Sequence, residues 1–195
     1  MAGWALAAYA AFLLVAFGAR TAIQRRRTGR SGFVRPPTGA AWLAEALLAA
    51  GVGLSLWAPA LDFLGVLDAV EPLDVTALDA TGFALLASAL AVCLTAQAQM
   101  GRSWRAGVDP EARTELITTG LFSIVRNPFY VGLMLAASGV ACIVPNVVAV
   151  AAVPLTIVGS HLVVRQSEEP YLRRVHGEHY IAYAARTGRF VPRVR

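Results

Sequence analysis

Between Thr76 and Ala98 the chain carries a single charged side chain, Asp79, in an otherwise uncharged and largely apolar run. A helix built from such a run crosses a hydrocarbon core of ~30 Å. The pattern recurs, and it predicts five spans: about Trp4 to Ala19, Trp42 to Leu61, Thr76 to Ala98, Phe129 to Val144 and Asn146 to Val164. The fourth is short, closed by Pro128 and Pro145. Pro145-Asn146 reads as a tight turn, so the last two spans form a helical hairpin. With 57% hydrophobic and 15% charged residues in 195, the chain is too apolar for an ordinary soluble domain. The expected fold is all-α and membrane-integral. Residues 1–99 hold three N-terminal transmembrane helices. Residues 100–195 form a core of loop, hairpin (128–165) and helical C-terminal segment.

The loops carry an orientation. Arg20, Arg25, Arg26, Arg27, Arg30 and Arg35 follow the first span, and Arg102, Arg105, Arg113 and Arg126 precede the fourth. Arg165, Arg173, Arg174, Arg186, Arg189, Arg193 and Arg195 fill the tail, whereas Asp62, Asp68, Glu71, Asp74 and Asp79 follow the second span. Basic loops on one side place the N-terminus outside and the C-terminus in the cytoplasm. The net charge of +5 is therefore a topology signal and not a nucleic-acid surface. Every basic residue is Arg, with no Lys, and Ala is abundant. This composition points to a GC-rich, bacterial source and so to a bacterial plasma membrane. Cys93 and Cys142 both lie inside apolar runs, which predicts packing roles and no disulfide framework. The first run has its Arg cluster after it and not before it, the mark of a retained span and not of a cleaved signal peptide.

The hairpin brings two polar thresholds together, one near Arg126-Asn127-Pro128 and the other near Arg165 to Glu168. Pro128 suits the first turn of a helix, and the free N–H groups of Phe129 and Tyr130 suit a carboxylate or phosphate. His161, Arg165 and Glu168 stand at i, i+4 and i+7, roughly one helix face. Glu168 and Glu169 are adjacent acids at the membrane surface, fitted to a cation or to a solvated helix face. Glu45, early in the second span, is an intramembrane acid and so a functional residue by default; snorkelling to the nearby interface is the simpler reading. Tyr180 and Tyr183, at i and i+3, either pack on the membrane surface or wall an aromatic ligand. His176 and His179 share that spacing but have no third ligand nearby, and no metal site is expected. The chain has no GxGxxG, P-loop or GxSxG motif, so helix ends must hold any cofactor.

An ordered set of short motifs goes further. It runs from Gly101-Arg102-Ser103-Trp104 through Glu115 to Gly120 (ELITTG) and Arg126 to Gly132 (RNPFYVG). It continues with Glu168-Glu169, His176 to Tyr180 (HGEHY), Tyr183, and Arg189 to Pro192 (RFVP). This order, over the C-terminal half, resembles the isoprenylcysteine carboxyl methyltransferase family and its phospholipid methyltransferase relatives. The resemblance implies an integral membrane enzyme using S-adenosyl-L-methionine, held at the cytoplasmic end of the hairpin under the C-terminal segment. By position it assigns cofactor binding to Glu115, Leu116, Ile117, Thr118, Phe122, Arg126, Asn127, Pro128, Phe129, Tyr130 and Glu168. Glu168 would meet the cofactor ammonium, and Arg165 would orient an anionic acceptor. Glu168 or Glu169 would take the proton of an amine substrate, and Glu168 with Arg165 is the expected catalytic pair.

Two departures are visible. The family often has His where Asn127 stands, and Asn does not titrate near neutrality. The family Arg commonly precedes the first Glu by one turn, whereas Arg165 precedes Glu168 by three residues. The resemblance points to a small lipophilic acceptor, with a prenylcysteine-type or isoprenoid carboxylate first and an amine, phospholipid or thiol as alternatives. A nicotinamide-dependent membrane reductase and a catalytically silent lipid-binding scaffold are the rival readings. Lipid bilayer is the expected surrounding, and the motifs leave oligomeric state open.

Overall fold

A computed structural model describes residues 1–29, 39–71, 73, 76–101 and 115–193. Arg30, Arg35, Asp74, Arg102, Ser103, Trp104, Arg105, Arg113 and Arg195 lie outside these. The first helix is continuous in three parts: α1 (Ala2–Leu13), a π turn (Leu14–Ala19) and α2 (Arg20–Thr28). Then come α3 (Ala40–Phe63), α4 (Thr76–Met100), the single turn α5 (Leu121–Ile124), α6 (Pro128–Ile143) and α7 (Val147–Val163). A second π turn (Val164–Glu168) joins α7 to α8 (Glu169–Arg186). Gly177, at φ 51° and ψ −128°, breaks α8 into two rods that a residue with a Cβ would resist.

The protein is an all-α integral membrane protein. Among the described residues four helices are long and apolar enough to cross a membrane, and α6 is a shorter apolar helix. The limits of α3, α4, α6 and α7 fall within a few residues of the expected spans, whereas the first helix continues past Ala19 through Arg20 and Arg25 to Arg27 and ends at Thr28, before Gly29 in the left-handed conformation. Pro128 does occupy the first turn of α6. Asn146 makes the hairpin turn: its side chain accepts from the Ala149 N–H at 2.9 Å and donates to the Ala58 carbonyl at 3.0 Å. That pair of bonds caps α7 and ties the turn to the far end of α3.

In lipid, apolar surface alone does not drive helices together, so close packing of small residues does. Here α3 lies along α7 and α4 along α6. A Cβ on Gly159 would come within 2.4 Å of the Leu48 nitrogen, and one on Gly82 within 2.6 Å of the Gly139 carbonyl oxygen. Each arm of the hairpin is thus backed by an N-terminal span, and α1 covers the seam with buried Ala5, Tyr9 and Phe12.

Candidate active site at the Arg-rich end of the bundle

Tyr130 stands in the first turn of α6, and its hydroxyl donates to Glu168 Oε1 at 2.5 Å. Glu168 ends the second π turn. A π turn carries one residue more than an α turn and so re-phases the side chains that follow it. The two thresholds therefore meet as expected, and they meet through Tyr130 and Glu168. Phe129 is half-buried, with its ring edge-on to Tyr130 and to Phe17. Phe17 comes from the first π turn, so both π turns among the described residues deliver side chains to this one place. Asn127 precedes Pro128 without a side-chain cap on the helix. The N–H groups of Phe129 and Tyr130 thus have no side-chain acceptor from that position.

Beside this pair lies a clasp that the sequence did not disclose. Glu169, 7% exposed, accepts two hydrogen bonds from Arg189, from Nε at 2.8 Å and from Nη2 at 2.9 Å. It also pairs with Arg126 at 3.1 Å, and the Arg126 guanidinium lies 6.0 Å from the Tyr180 ring centroid. The hydrogen bond and charge of Glu169 push the Arg189 guanidinium above its ordinary pKa. Next to the clasp the tail runs parallel to the strand-like Val125. The Arg126 N–H donates to the Gly188 carbonyl at 2.8 Å, and the Asn127 amide Nδ2 donates to the Arg189 carbonyl at 3.1 Å. Tyr183 donates from its hydroxyl to the Phe122 carbonyl at 2.6 Å. The C-terminal segment is thereby closed over the approach to α6.

Eight of the twelve expected site residues thus fall into three groups. Pro128, Phe129, Tyr130 and Glu168 come together at the threshold. Arg126 and Asn127 adjoin them but are engaged by Glu169 and by the tail. Leu116 and Thr118 line a separate surface pocket of about 570 Å³ with His176, Glu178, His179, Ala182 and Arg186. Ile117 is half-buried between those two, Glu115 is exposed, and Phe122 offers its backbone carbonyl to Tyr183. Arg165 is exposed on the second π turn. Glu45, on α3, lies within electrostatic reach of both Tyr130 and Glu168. Glu169 and Arg189 were the missed pair. The signal available for them was that both belong to the ordered motif set, one as the second acid of Glu168-Glu169 and one opening Arg189 to Pro192. Among the described residues no group of three His, Cys, Asp or Glu side chains gathers to hold a metal ion.

Chemically, the threshold joins a carboxylate, a phenol, uncapped helix N–H groups and aromatic faces at the border of an apolar bundle. Such a set binds an amphoteric ligand at the edge of lipid. No curated protein matches the chain. The family model for phospholipid methyltransferases matches residues 78–179, from the start of α4 through the hairpin to the middle of α8. The match covers just over half of the sequence and takes in Tyr130, Glu168 and Glu169, so the chain belongs to the phospholipid methyltransferase family.

Proposed function

We propose that the protein transfers a methyl group from S-adenosyl-L-methionine to a small lipophilic acceptor at the membrane. The observation that carries this reading is the Tyr130–Glu168 pair at the uncapped start of α6, inside the region that the family match covers. The residues fit the cofactor's chemistry. Glu168 suits its ammonium group, the Phe129 and Tyr130 N–H groups suit its carboxylate, and Phe129 and Tyr130 offer aromatic faces to its sulfonium or adenine. Ser167, 8% exposed and with an unpartnered hydroxyl, adds a spare polar group beside Glu168. When bound, the cofactor supplies an electrophilic methyl group.

The chain's own contribution is alignment and exclusion of water, which in-line displacement at carbon needs more than acid–base groups. Tyr130 holds Glu168 in place, and the Glu169–Arg189 clasp keeps the tail over the approach. Residues 100–195 supply the cofactor side in this reading, and the spans of residues 1–99 wall the acceptor. In this reading the basic loops put the Tyr130–Glu168 end on the cytoplasmic side of a bacterial plasma membrane.

The test is binding of S-adenosylmethionine to the purified full chain in nanodiscs, with NADPH as control. Saturable binding that Glu168→Gln weakens tenfold or more is the expected result. Binding of NADPH alone would turn the assignment to a reductase, and binding of neither would restore the silent scaffold.

A further inference from the structure

Phe17 lies outside the region that the family match covers, yet it touches the candidate site. Its ring centroid is 5.6 Å from that of Phe129, with 81° between the planes. The Phe129 ring is in turn 6.2 Å from the Tyr130 ring, at 78°. Two edge-on contacts thus link the first helix to the residue whose hydroxyl holds Glu168. What aims Phe17 is the π turn Leu14–Ala19. A π turn is the rare, wider alternative to the α turn, and α4 favours it here. Gln97 is buried and donates from Nε2 to the Ala16 carbonyl at 2.7 Å. That bond reaches from one helix into the backbone of another and gives the carbonyl next to Phe17 a fixed donor. An ordinary α turn in its place would re-phase the helix by one residue, roughly 100° of rotation, and carry the ring off Phe129.

α4 holds the other partner too. Cys93, one turn before Gln97, donates its thiol to the Phe129 carbonyl, and its sulfur packs against Gly132 of α6. Phe129 is therefore held at its backbone by Cys93 and at its ring by Phe17, and one face of α4 supports both. Resting on the methyltransferase reading, we infer that Phe17 and Gln97 are positioning residues of the reaction. Gln97 keeps the π turn, the π turn keeps Phe17 on Phe129, and Phe129 keeps Tyr130 where its hydroxyl meets Glu168. Both act through Tyr130 on the residues that bind the cofactor. The N-terminal helix thereby belongs to the catalytic apparatus and is more than a membrane anchor.

The test uses the full chain in detergent, its tyrosines replaced by fluorotyrosine and read by fluorine NMR without cofactor. The Tyr130 line is the one that disappears in Tyr130→Phe. Phe17→Leu and Gln97→Met are both expected to move it and to leave the Tyr183 line in place. Phe17→Tyr keeps an aromatic ring and should hold the line near its wild-type position. S-adenosylmethionine affinity, measured separately on unlabelled protein, should fall by roughly 2- to 10-fold in Phe17→Leu, the range of an aromatic pair, and recover in Phe17→Tyr. Combined with Tyr130→Phe, Phe17→Leu should weaken binding almost no further, since both act on one contact. A Tyr130 line unmoved in both variants overturns the inference, as does full affinity in Phe17→Leu with only the melting temperature lowered. If Phe17→Leu does not fold, Gln97→Met decides by the same two readouts. A wild type that binds no S-adenosylmethionine while the Tyr130 line still responds sinks the methyltransferase reading and leaves the coupling of Phe17 to Tyr130 standing.

Discussion

Glu169 and Arg189 are joined by two parallel hydrogen bonds, 2.8 and 2.9 Å long, although twenty residues separate them in the chain. The planar guanidinium matches the carboxylate edge, a geometry that Lys does not reproduce. Arg126 adds a second cation to the same carboxylate. Glu169→Gln therefore strands two guanidinium groups, and Arg189→Ala strands less. Because Arg189 is about a third exposed, solvent discounts the pair. A loss of ~1–3 kcal/mol for Glu169→Gln is expected, with a smaller loss for Arg189→Lys. Thermal unfolding in detergent checks both; equal melting temperatures across wild type and variants would show that the clasp contributes nothing.

The Tyr130 hydroxyl has one visible task, its bond to Glu168. Tyr130→Phe keeps the ring against Phe129 and removes that bond. Cofactor affinity should fall by roughly 10- to 150-fold, the worth of ~1.5–3 kcal/mol for a hydrogen bond to a charged group. Titration calorimetry reads it. An affinity equal to wild type would mean that Glu168 needs no help to hold its position.

Asn127 spends its amide on the Arg189 carbonyl. Asn127→Ala should release the end of the tail and speed trypsin cleavage at Arg189 and Arg193. Asn127→His retains a ring N–H donor and should leave cleavage near the wild-type rate. Cleavage at the same rate in all three chains would remove Asn127 from tail closure.

Asn146 is fully buried and bonded through both ends of its amide. Asn146→Ala loses a helix cap and the tie to α3, at a cost of about 1–3 kcal/mol. Asn146→Asp preserves the cap and loses the tie, so its stability should lie between the two. Chemical unfolding of the three proteins would order them, and an Asp variant no better than Ala would show that the cap is worth little.

Gly159 leaves no room for a side chain against the Leu48 backbone. Gly159→Val must push α3 from α7, with an expected loss of several kcal/mol in the range set by overpacking, ~1–3 or more. Thermal unfolding in detergent reads the loss, and a melting temperature equal to wild type would show that α3 and α7 tolerate the separation.

The spans were legible because charge and proline end them, and the meeting of thresholds followed from the hairpin. The Tyr130–Glu168 contact lies where that argument pointed. Two features were hidden, each for a physical reason. A π turn adds a residue without altering the apolar pattern, so the phase of Phe17 and of Glu168-Glu169 was not readable from helical spacing. Which of the two adjacent acids meets Tyr130 and which takes Arg189 depends on that phase. The tail clasp depends on the chain returning at Gly188 to lie beside Val125, a long-range pairing with no local periodicity to announce it.

The shortness of α6 has its own consequence. At 16 residues against 25 for α4, and at ~1.5 Å per residue, it reaches only about 24 Å. Cys93 of α4 contacts Gly132 and donates its thiol to the Phe129 carbonyl, so Pro128 is level with a point more than a turn before the end of α4. Hydrophobic mismatch of this kind is relieved by thinning the leaflet around the short helix. Arg126 and Asn127, placed just before Pro128, therefore sit deeper along the bundle axis than the end of α4.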